Sequence, residues 1–171
     1  MISPDYVLMM ARYNAWQNKQ LIAAFKALHP ADLELDRGGF FGSIRKTASH
    51  LLWGDMMWMA RFDGGAPPGG GIGESTEVVR TREDWALARF RMDARILRWA
   101  EELRTVDLTG ALNWYSGAAG QDMTRPYALC VVHMFNHQTH HRGQIHAMLT
   151  ATDVTAPVTD LALMPAEGPW L

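Results

Sequence analysis

Cysteine is nearly absent from this 171-residue chain, which carries only Cys130. An internal disulfide is therefore excluded, as is a structural zinc site built mainly from thiolates. Excess charge is also missing: 16 lysines and arginines stand against 18 aspartates and glutamates, for a formal net charge of -2. No broad basic field exists to draw in nucleic acid or an anionic membrane, so neither is expected as a partner. Long apolar runs are lacking too. "LLWGDMMWMA" is broken by Gly54 and Asp55 well short of a bilayer span, and "MISPDYVLMMARYN" has no basic stretch ahead of its apolar residues. We expect a soluble cytoplasmic protein. Hydrophobic residues make up 48% of the chain, enough at this length for one core and one domain over residues 1–171.

Four long helical patterns are present, separated by glycine and proline. Ser3 is a natural N-cap ahead of Pro4, and Val7, Met10, Leu21, Phe25 and Leu28 follow at helical spacing, which predicts a first helix running to about His29 before Pro30 stops it. A second begins near Ser43 after "GGFFGS", carries Ile44, His50, Leu51, Trp53, Met57 and Trp58, and ends at the loop "DGGAPPGGGIG". Thr81 with Asp84 resembles a capping box, and Trp85, Ala88, Met92, Ile96, Trp99 and Leu103 place a third helix up to about Thr105. Strand-like residues flank a Gly-Ala-Ala-Gly turn between Leu108 and Pro126, which suggests a small hairpin. A fourth helix is expected from about Pro126 to Thr152, with one short helix in the tail after Pro157. Four amphipathic helices in one small chain make an all-α four-helix bundle the expected architecture.

Five of the seven histidines fall in "HMFNHQTHHRGQIHAM". On a helical wheel His133, His137, His140 and His141 share one side with Cys130, Met134, Gln144 and Met148, while His146 lies opposite. An apolar flank turns that side toward the core, where imidazoles need hydrogen bonds or a metal. His137 and His141, at i and i+4, can both reach one ion, with Asn136 and Gln144 placed as outer-shell partners. A third ligand must come from another helix, and His50 is the best placed; Gly54, one turn on, leaves room for a neighbour. Gln138 stands where a zincin would carry its glutamate, so a peptidase of that kind is not expected. Asn14 interrupts an apolar stripe. It needs either a buried structural partner or a contact at the rim of the site. His133 and His140 are the other pocket candidates.

"NHQTHHRGQIHAML" resembles the closing metal-binding helix of the DinB/YfiT-like metalloenzyme family, and "YNAWQN" and "ASHLLWGDMMWMARF" are similar to its other two characteristic segments. The resemblance implies a bundle whose middle connection crosses over, with helices up, down, down and up, and commonly a homodimer. It also implies a divalent transition metal held by His50, His137 and His141. Three imidazoles suit zinc or nickel, and also iron or copper. Some relatives use a low-molecular-weight thiol such as bacillithiol or mycothiol, so metal-assisted transfer of a thiol to an electrophilic small molecule is the leading function. Metal-dependent hydrolysis or isomerisation, or a dimeric metal-binding module without turnover, is the alternative. Asp55 lies about 140° around the second helix from His50, leaving no carboxylate placed as a base and favouring thiolate chemistry. The last long helix is also apolar on its far side at Val131, Val132, Phe135 and Leu149, to be covered either by the hairpin or tail around Trp170 or by a second subunit.

Overall fold

The computed structural model describes residues 1–171. Its long helices are α1 (Pro4–Ala27), α3 (Ile44–Asp63), α4 (Arg82–Glu102) and α5 (Tyr127–Leu149); a short α2 (Pro30–Glu34) follows α1. Capping chemistry sets the starts. Ser3, Ser43 and Thr81 accept from the backbone N–H of Tyr6, Lys46 and Asp84, each three residues on. Gly64, at φ 72°, ends α3 in the left-handed conformation that L side chains resist. Pro30, expected only to stop α1, also starts α2, because proline suits a first helical position and His29 Nδ1 accepts from Ala31 N–H. The ends of α4 and α5 fall a few residues earlier than their apolar spacing predicts.

Side-chain pairs give the helix directions. Phe25, late in α1, stacks on Trp85, early in α4, so these two run antiparallel. Trp85 also donates to Ala48 O at the start of α3, while Phe62 stacks on Trp99 at the far ends, so α3 and α4 run parallel. Phe62 meets Tyr127 at the start of α5, making α3 and α5 antiparallel. Two parallel neighbours require the chain to travel back along α3 between them. The glycine-rich run does this, setting a 3₁₀ turn (Ile72–Glu77) against the beginning of α3, where Arg45 donates to Thr76 O and Val79 O.

Strands β1 (Ala111–Ser116) and β2 (Gln121–Pro126) pair antiparallel around the Gly117–Gly120 turn, with Trp114 opposite Met123. The tail forms a single 3₁₀ turn, Leu161–Leu163, and lies on α1: Gln17 donates to Val158 O, Tyr13 to Thr159 O and Lys19 to Leu171 O. Arg12 covers the Trp170 ring at 4.4 Å. The far side of α5, expected to be covered by the hairpin or tail around Trp170 or by a second subunit, is covered instead by the core itself. Val131, Phe135 and Leu149 are fully buried within the single chain, in one apolar cluster that runs from Val7 to Leu149 through all four long helices. Val132 alone of the four stays half-buried. Each fully buried aliphatic or aromatic side chain in that cluster contributes about 1.5–3 kcal/mol.

A polar chain crosses the same core. Gln138 of α5 donates to Asp55 of α3 at 2.9 Å, Asp55 pairs with Arg89 of α4 at 2.5 Å, and Arg89 lies 2.8 Å from Asp93. Asp93 accepts from Asn14 and Asn18 of α1, and Arg142 of α5 donates back to Asn14. All seven side chains are buried, and their formal charges cancel. Apolar packing tolerates small slides between helices, whereas these directional bonds hold only in one register. No helix is long and apolar enough to cross a membrane.

Candidate metal centre

His50 sits two turns into α3, His137 and His141 midway along α5, and the antiparallel crossing brings them together. Each offers a ring nitrogen, and no two of these atoms lie more than 4.8 Å apart. His50 Nε2 and His137 Nε2 are separated by 3.3 Å. Two nitrogens at 2.0–2.1 Å from a tetrahedral ion stand about 3.3–3.4 Å apart, so that pair already has the needed spacing.

Neighbouring bonds set the tautomers. Ser75 gives its hydroxyl hydrogen to Ile72 O at 2.7 Å and therefore can only accept at His50 Nδ1, 2.9 Å away. That places the His50 hydrogen on Nδ1 and the lone pair on Nε2. Gln144 Oε1, an acceptor only, sits 2.7 Å from His141 Nδ1 and fixes that ring in the same way. Burial, with His141 close by, pushes His50 down to about 4. Burial, followed by the adjacent His141, His50, His133 and His140, pushes His137 down to about 3. Burial lowers His141 as well, against the opposing pull of the Gln144 bond. The three rings are neutral at pH 7, the state in which imidazole ligates metal.

Close packing holds the rings in place. A Cβ on Gly54 would stand 2.6 Å from His137 Cε1 and 3.1 Å from its Nδ1, so glycine is required for this imidazole to lie against α3. Phe41, from the "GGFFGS" loop, lies 4.2 Å from the His50 ring and 5.7 Å from that of His141. Neutral nitrogen donors, set tautomers and a three-ligand set with an open side fit a divalent transition metal of the catalytic kind.

The open side faces a cavity of about 390 Å³ lined by His50, His137, His133, Trp53, Trp58, Arg61 and the hairpin's Trp114. His133 thus lies in the pocket, edge-on to Trp58 at 5.0 Å and lowered by burial and by the nearby Arg61 charge. His140 and Asn14 do not. His140 is exposed and only touches the His141 ring edge at 4.8 Å, because its position on the wheel turns it to solvent. Asn14 is buried in the polar chain with Asp93 and Arg142, its structural reading, and Asn136 is exposed. Asp55 is fully buried against Arg89 and Gln138. No aspartate or glutamate lines the cavity. Ser75 and Phe41 carried no sequence signal, and the hairpin, though expected, carried none for its place at the site, since the connections that bring them there follow paths the local pattern does not encode. His146, on the opposite side, meets Pro157 O in the tail.

A helical scaffold with three histidines gathered at a crossing of two helices defines the class. A family model for the DinB family matches residues 1–168, and the chain belongs to that family. It is 26% identical over 166 residues to "Protein DinB" of Bacillus subtilis (strain 168), covering 93% of each chain. No solved structure matches it.

Proposed function

We propose that this protein is a metal-dependent transferase in which His50, His137 and His141 hold a divalent transition metal, zinc or nickel in first place, and a low-molecular-weight thiol is joined to an electrophilic small molecule. The observation that carries this reading is the convergence of three neutral imidazoles, two of them with Nε2 free, at the edge of an aromatic cavity that His50 and His137 line. A bound cation would lower the pKa of a thiol so that it reacts as the thiolate. The cavity holds no carboxylate, so the proton acceptor beside the proposed ligands is His133.

The chain's own residues supply the remainder. His133, neutral and lining the cavity, accepts the thiol proton. Sulfur then bonds to the electrophilic carbon, the bond to the leaving group breaks with its electron pair, and the protonated His133 returns the proton to that group. Trp53, Trp58 and Trp114 exclude water and hold the apolar part of the substrate.

Elemental analysis of protein purified without a nickel column, followed by turnover assays on a panel of thiols and electrophiles, tests the reading. Stoichiometric metal is expected, with well over half of it lost in His50→Ala, His137→Ala and His141→Ala. His146→Ala should keep it, and His133→Ala should keep the metal but lose turnover. Full turnover by metal-depleted protein would remove the proposal.

A further inference from the structure

We propose that Arg61 is an anion anchor in the cavity and binds a carboxylate carried by a ligand whose reacting end lies at the histidines. That orientation rests on the function proposed above. The carboxylate subsite itself stands on separate observations.

The Arg61 guanidinium lies 4.5 Å over the ring of Trp58 and 5.2 Å from that of Trp114, in the cavity wall. The next acidic residue along α3, Asp63, is engaged by Arg95 through two contacts of 2.7 and 2.6 Å. No carboxylate lies within ion-pairing distance of Arg61, and the cavity lining supplies none. A guanidinium lying against aromatic rings keeps its N–H edge free, and that edge matches a carboxylate in a bidentate fork. With neutral histidines the cavity carries one positive charge, and a bound divalent cation makes it more positive still, so an anionic ligand is favoured electrostatically.

Geometry limits the ligand's size. Positions 50 and 61 are separated by roughly 16 Å of helix rise, and the Arg61 side chain leans back about one turn onto Trp58, leaving roughly 11 Å between anchor and imidazoles. A ligand bridging them carries its carboxylate several bonds from the reacting atom, on an apolar body that lies against Trp58 and Trp114. The carboxylate belongs either to the thiol or to the acceptor.

Calorimetric titrations with hexanoate, hexanamide, 6-mercaptohexanoate and 6-mercaptohexanol, on metal-free and metal-loaded protein, test the assignment. In native protein each acid should bind roughly tenfold or more tightly than its neutral partner, from the charge-assisted bonds alone. Arg61→Gln should bring that ratio close to one, and Arg61→Lys should keep part of it, which a purely structural role for Arg61 does not predict. A preference already present for hexanoate in metal-free protein supports the subsite independently of any metal. A preference confined to 6-mercaptohexanoate in loaded protein supports it and places the acid on the thiol. Equal binding within both pairs in native protein, or an undiminished ratio in Arg61→Gln, overturns it. Because the metal-free arm needs no ion, failure of the metal reading leaves this result interpretable.

Discussion

At His50 the chemistry depends on which ring nitrogen carries the hydrogen, and Ser75 decides that. Ser75→Ala removes the acceptor at Nδ1 and releases the ring to either tautomer, so metal affinity should fall about 10- to 100-fold while the fold persists. Gly54→Ala acts on the other ligand, since the added methyl would overlap the His137 ring and drive it off the site. Competition with a coloured chelator measures both; unchanged affinity in both variants would show that neither contact orders the site. The proton balance gives a further expectation. His50 and His137 sit at about 4 and about 3, below the ordinary 6.5, so the unfolded chain binds protons before the folded one. Their contribution to stability is therefore complete above about pH 6.5 and lost as pH falls toward those values. Thermal midpoints of metal-free protein should drop between pH 7.5 and pH 4.5, and less so in the His50→Asn, His137→Asn double variant; equal drops would assign the loss to other groups.

Among the elements, α5 has the most to hold in place, because it carries two of the three clustered histidines. Gln138 lies between them in sequence and turns the other way, donating to Asp55, which is itself paired with Arg89. The structure gives a second reason against a peptidase-like reading of the motif: position 138 faces the core, away from the histidine-lined cavity. Asp55→Asn leaves Arg89 with one buried carboxylate partner, Asp93, in place of two, and should destabilise the fold by about 3–5 kcal/mol. Urea unfolding measures this; a change under about 1 kcal/mol would mean that water or local rearrangement replaces the pair.

For the whole molecule, the homodimer implied by the family resemblance has lost one of its supports. The α5 stripe once available to a partner is covered by the chain's own core, with the tail lying on α1. Leu87 and Phe90, one turn apart on α4 and 52% and 49% exposed, are an apolar pair free to pack against a second copy. Light scattering at low micromolar concentration should give twice the 19.2 kDa chain mass, falling to one chain in a Leu87→Glu, Phe90→Glu variant. A single-chain mass in native protein would set the dimer aside.

Local pattern alone determined the four long helices, their caps, the hairpin with its Gly-Ala-Ala-Gly turn, and the side of the last helix that carries the histidines. Each of these depends on residues a few positions apart, whose spacing is legible along the chain. His50 could be nominated as a third ligand only because it stood in another helix beside Gly54; that Gly54 clears space for His137 was decided by the approach of α3 to α5. Asn14 shows the limit more sharply, since a buried amide signals only that it needs a partner, and the partner, Asp93, lies 79 residues away. Ser75 and Arg61 had no signal at all. Their roles arise because α3 and α4 run parallel, which forces the glycine-rich connection back over His50, and because the hairpin brings Trp114 alongside Trp58. Those are contacts between distant segments, chosen by the burial and pairing of the whole chain.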